Sequence, residues 1–89
     1  MTSPFDDPEQ PVEPDGTSIR RRRRGRSWSR RELVDAIARH SIAASGRPDT
    51  ITRNLLQHIE EANEAVPYRV VVLIAGGLNC DPIDLVAEA

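Results

Sequence analysis

The chain has no lysine, one cysteine and one each of Trp, Tyr and Phe in 89 residues, and its longest apolar run is Val70 to Ala75. Each scarcity excludes something. A lone Cys80 leaves no internal disulfide and fits a reducing compartment. Val70 to Ala75 is far too short to span a bilayer, so no membrane partner is expected. The N-terminal stretch is acidic and proline-rich, without the basic-then-apolar order of a secretory signal, so a cytoplasmic location is expected. His40, His58 and Cys80 are isolated and match no metal-ligand frame. Gly76 and Gly77 lie in no phosphate-cradling glycine frame, so no cofactor is expected. About 60 foldable residues leave little volume for a cleft, which argues against an enzyme.

What is present is charge, strongly segregated. The formal net charge of −2 conceals three blocks: residues 1 to 18 carry five acids and no base, residues 20 to 31 carry eight arginines and no acid, and the remainder carries nine acids against four arginines. Residues 1 to 18 include Pro4, Pro8, Pro11 and Pro14 and few sizeable apolar side chains. They read as a disordered acidic tail, because burial there does not offset ordering entropy. Residues 19 to 27, I-R-R-R-R-R-G-R-S, read as a self-repelling arm that stays extended until something anionic meets it, nucleic acid being the commonest such partner. A solvated linker, or an arm covered by the acidic tail, remains an open reading of the same residues.

Residues 28 to 89 read as a helical domain. In W-S-R-R-E-L, Ser29 and Glu32 form a capping box, and Trp28 with Leu33 a hydrophobic staple, which together start a helix. Leu33, Val34, Ile37, Ala38 and Ile42 recur at helical spacing until Gly46 and Pro48 stop it near Ser45. A second helix starts at a cap from either Thr50 or Thr52, with Ile51, Leu55, Leu56, Ile59 and Ala62 inward. Pro67 opens the next segment, where V-V-V-L-I-A suits a helix or a buried strand; a helix is preferred, since a lone strand would leave unpaired edges. Its core side is Val70, Val71, Ile74 and Leu78, which leaves Tyr68, Val72 and Ala75 as apolar surface for a possible homodimer. Gly76 and Gly77 imply either close helix packing or an early end. Asp81 and Pro82 then cap a short last helix, with Cys80 as a small joint residue.

The order and spacing of Thr52, Arg53, Leu56, Ile59 and Glu60, then Pro67, Ile74, Ala75, Leu78, Asp81, Pro82, Asp84 and Leu85 resembles the second half of the lambda-repressor-like (Cro/repressor-type, XRE) helix-turn-helix family. The resemblance covers residues 49 to 86. It implies an all-α fold of three or four helices, double-stranded DNA as the partner and the helix at 50–61 as the element that reads bases, with Glu60 structural. Thr52, Arg53, Asn54 and Gln57 carry suitable chemistry: Arg pairs bidentately with guanine, Asn or Gln with adenine, and Thr meets phosphate or a thymine methyl. Arg20, Arg21, Arg22, Arg23, Arg24 and Arg26 would supply phosphate contacts from the arm. The family places two helices ahead of its recognition helix and this chain shows one, so either the arm replaces the first helix, as N-terminal arms lie in a minor groove, or the fold serves another use.

The expected function is therefore a small repressor-like DNA-binding regulator. Two alternatives stand beside it. One is a helical adaptor or inhibitor, of bacterial or phage origin, that binds a protein partner through the acidic body; the other is an arginine-rich RNA-binding protein that orders on binding.

Overall fold

Side-chain caps open nearly every helix. Asp15 accepts a hydrogen bond from the Ser18 N–H and starts α1 (Gly16–Gly25). Ser29 starts α2 (Arg30–Ser45): its Oγ accepts from the Glu32 N–H at 3.1 Å while Glu32 Oε1 accepts from the Ser29 N–H at 3.0 Å, the reciprocal pair read from the sequence. Thr52, and not Thr50, caps α3 (Arg53–Ala62) by accepting from the Leu55 N–H. Thr50 instead donates its hydroxyl to the Val34 carbonyl at 2.7 Å, tying the joint back onto α2. Asp81 opens a final 3-10 turn, Pro82–Leu85. The exception is α4 (Tyr68–Leu78), which follows Pro67 without a side-chain cap. Helix ends are equally local: Gly46 (φ 79°), Asn63 (φ 51°) and Asn79 (φ 55°) adopt the left-handed conformation that terminates α2, α3 and α4.

The computed structural model describes residues 7 to 87, which form a small all-α domain with two short strands, β1 (Pro11–Val12) and β2 (Val66–Pro67), paired antiparallel. The V-V-V-L-I-A run is helical. No helix among these residues is long and apolar enough to cross a membrane.

Ile19, Leu33, Ile37, Leu56, Ile59, Val71, Ile74 and Leu85 are wholly buried and join all four helices and the last turn into one core. Helices α2 and α4 approach closely. A Cβ placed on Gly77 would lie 2.6 Å from Ile37 Cγ1 and 3.0 Å from the Ile37 backbone nitrogen, and one on Gly76 would meet the His40 ring. Close packing, the first of the two uses expected of this pair, is therefore what they do. Val70, Val71, Ile74 and Leu78 form the buried side of α4 as expected, and Ala75, expected outward, joins them, while Val72 stays exposed and Tyr68 half-buried. On α2 the buried set includes Ala36 and Ser41 and omits Ile42; on α3, Ala62 is exposed.

Two expectations are overturned. Within the tail expected to be disordered, residues 1 to 6 lie outside the described residues, but from Pro8 onward the chain is tied down by backbone hydrogen bonds. Tyr68 and Arg69 donate to the Gln10 and Pro8 carbonyls, Asp15 donates to Leu85, and Ala87 donates to Glu13. Val12 and Pro14, within this strap, are buried. Its order comes from backbone partners supplied by distant segments, to which composition is blind. Second, the arginine block is neither extended nor an arm; it is most of α1. Arginine is a good helix former, and the buried face is narrow: Gly16, Ile19 and Arg23. A Cβ on Gly16 would fall against the Ile59 carbonyl and the Glu60 Cα, so α1 rests directly on the α3 backbone. A helix therefore precedes α2, and its lack of an apolar face is made good by burying one arginine against an acid.

Candidate nucleic-acid interface

That arginine is Arg23. Its Nε and Nη2 donate to the two carboxylate oxygens of Glu60, each at 2.8 Å, and its Nη1 donates to the Trp28 carbonyl at 2.7 Å. The Arg23 side chain is 8 % exposed and that of Glu60 0 %. Hydrogen bonding to Glu60 raises the Arg23 guanidinium further above its already high range, against the opposing effect of burial. Arg30, at the start of α2, adds a 3.3 Å contact to the same carboxylate and a 3.4 Å contact to Glu61. Arg23 is thus a structural residue, and its expected role as a phosphate contact is corrected: its charge is met by a buried carboxylate and three of its five N–H donors are taken up inside the protein.

The other five arginines of the block diverge. Arg22 leans toward Asp84, 3.9 Å away. Arg26 donates to the Leu78 carbonyl, at the end of α4, and sits 5.1 Å from the Trp28 ring centroid, a cation–π distance. Arg22 thus faces the last turn and Arg26 the end of α4. Arg20, Arg21 and Arg24, with Thr17, line a concavity of about 400 Å³ on the outer side of α1.

A larger concavity, about 700 Å³, lies where the end of α1 and the starts of α2 and α3 converge. It is lined by Arg23, Arg24, Ser29, Arg30, Arg31, Arg53, Asn54 and Gln57, with no acidic residue. Within it Arg24, Arg31 and Arg53 have no ion-pair partner among the described residues. Arg30 and Arg53 are the first residues of their helices, so two positive helix ends add to the same field. The structure therefore brings Arg53, Asn54 and Gln57 together with Arg24, as one solvent-open face. Thr52 is exposed beside them, its hydroxyl oxygen occupied as the α3 cap. Gln57 donates to Glu61 at 3.3 Å, which leaves its amide oxygen and a second N–H free.

No family model, curated protein or solved structure matches the chain. The face therefore carries its own chemical argument.

Arg31 and Arg30 are the residues that sequence reasoning missed. The signal was their position directly behind the Ser29 cap, which ties them to the first turn of α2 whatever the helix packs against. The acids of α3 also read differently in three dimensions. Glu60 is withdrawn into the core and Glu61 is shared with Arg30 and Gln57, so neither presents a bare negative charge to the groove.

Proposed function

We propose that this protein is a small DNA-binding transcriptional regulator of the repressor type, similar to the lambda-repressor-like helix-turn-helix family, and that the groove at the α1–α2–α3 junction receives a DNA duplex. The observation that carries this reading is the acid-free groove itself: three unpaired arginines beside an Asn and a Gln one helical turn apart on α3. Arg24 and Arg31 contact phosphates, Asn54 and Gln57 hydrogen-bond base edges, and Arg53 serves either role. The order of elements supports the reading as well, since α1 and α2 stand ahead of α3 as the family's two helices do. Exposed Val72 offers apolar surface for a second copy, and two chains per duplex is the stoichiometry expected on a palindromic site.

The test is a fluorescence-polarisation titration of the full chain against random and selected duplexes and random single-stranded RNA, repeated across a salt series. The three junction arginines contribute about −2.7 to the log–log salt slope on duplex DNA if each meets a phosphate. Asn54→Ala and Gln57→Ala relax preference among sequences with little change in slope, whereas Arg31→Gln lowers affinity for every sequence alike. Binding to neither nucleic acid at low salt sinks the proposal. Preference for single-stranded RNA moves the groove to the arginine-rich RNA reading.

A further inference from the structure

The outer face of α1 is not needed for base readout, yet it is the most basic helix surface in the chain. Thr17, Arg20, Arg21 and Arg24 fall at positions i, i+3, i+4 and i+7, so they share one side of the helix over a rise of about 10 Å. They line a concavity of their own with no acidic residue. Arg24 also lines the groove at the α1–α2–α3 junction, so the two depressions meet at that side chain. None of Arg20, Arg21 and Arg24 has an ion-pair partner among the described residues, so three like charges crowded within two turns repel one another unrelieved. An anion with several oxygens relieves that repulsion.

We propose that this face of α1 is a second phosphate-binding groove, which grips a phosphodiester strand flanking the one held at the α1–α2–α3 junction. Its identity as a duplex-flank site rests on the duplex reading above; its chemistry, a chain of phosphates on Arg20, Arg21 and Arg24 with the Thr17 hydroxyl as a further donor, does not. Because α1 is fixed by Ile19 and by the Arg23–Glu60 pair, these donors stand preorganised, unlike those of a flexible arm, which would order on binding. The grip carries no sequence information, since it meets only the backbone.

The experiment compares the wild-type chain with Arg20→Gln/Arg21→Gln in two arms: duplex binding across a salt series, and a 1H–15N NMR titration with sodium tripolyphosphate. Both substituted side chains lie outside the core, so the variant retains its thermal midpoint. In the duplex arm, removing two phosphate contacts makes the salt slope shallower by about 1.8, so between about 50 and 200 mM salt the wild type loses about 12-fold more affinity than the variant. Ranking among duplex sequences stays the same. In the NMR arm, tripolyphosphate shifts the amides of residues 17 to 24 in the wild type and leaves the variant unmoved. If the wild type binds duplex while the variant keeps the full slope and tripolyphosphate leaves α1 untouched, the second groove is overturned and the duplex reading stands. If tripolyphosphate binds α1 but no duplex binds, the groove stands as a polyphosphate site and the duplex reading falls. No response in either arm overturns both.

Discussion

Replacing Arg23 with methionine tests how the arginine-rich helix is held. The substitution keeps most of the side-chain volume but removes three hydrogen bonds, two to Glu60 and one to the Trp28 carbonyl. Glu60 is then left wholly buried with only the 3.3 Å contact from Arg30. Breaking one side of a buried ion pair costs about 3–5 kcal/mol, because the surviving charge is uncompensated. A chain of this length has roughly 4–13 kcal/mol of total stability, so the loss is a large fraction of it. At about 4–8 °C per kcal/mol, the thermal midpoint falls by at least about 12 °C. Arg23→Met/Glu60→Leu removes the stranded charge with its partner and returns to within about 1–2 kcal/mol of wild type, since apolar replacement of a buried pair is often neutral. Urea denaturation followed by far-UV circular dichroism and by the fluorescence of Trp28, whose carbonyl loses its donor, reads all three chains. A cost below about 1 kcal/mol for Arg23→Met would put the pair in the range of exposed surface ion pairs and refute the reasoning. A double variant less stable than Arg23→Met would refute it as well.

Three further outcomes are expected. Gly77→Ala is destabilising by about 1–2 kcal/mol, since its Cβ drives into Ile37 and its backbone, whereas Gly25→Ala, with nothing within 4 Å, stabilises by about 0.5 kcal/mol; paired denaturation curves of opposite sign check this. Thr52→Ala costs about 1 kcal/mol and frays the first turn of α3, seen as faster amide exchange at Leu55, while Thr50→Ala leaves that turn protected. The Glu32 carboxyl lies below its ordinary range because it accepts the backbone N–H and the hydroxyl hydrogen bond of Ser29. A depressed carboxylate adds stability above its unfolded pKa of about 4.3 and loses it as pH falls through the lower folded value. The stability gap between wild type and Glu32→Gln is therefore constant near neutral pH and closes on acidification, as a pH series of urea melts would show.

Cap chemistry made the helix boundaries legible. Ser29 with Glu32, Gly46, Thr52 and Asp81 each act within four residues of their own position, so their partners are visible in a linear reading. The groove was legible in its α3 half for a similar reason: Arg53, Asn54 and Gln57 lie off the apolar stripe of one well-patterned helix. The first helix was not legible. Its buried face is Ile19 and one arginine, and Arg23 joins the core only because Glu60, 37 positions away, is there to neutralise it. A basic run with one isoleucine four residues before an arginine, and an acid buried elsewhere on an apolar stripe, is the signal that would have found it. Ala75 was legible too, since it stands four residues after Val71 and three before Leu78 on the same stripe of α4; the close approach of Gly76 and Gly77 to α2 is the tertiary fact that periodicity does not carry.

The strap formed by residues 8 to 15 also has a kinetic consequence. It closes on Val66 to Arg69 on one side and on Leu85 to Ala87 on the other. Small helical domains fold fast when their contacts are local, but here the strap waits for the segment at Leu85 to Ala87. On the ribosome, the strap and its buried Val12 and Pro14 have no lasting home until the segment through Ala87 has emerged. The arginine helix finds its seat earlier, on Ile59 and Glu60 of α3, so the charge pair is made before the strap closes beside it.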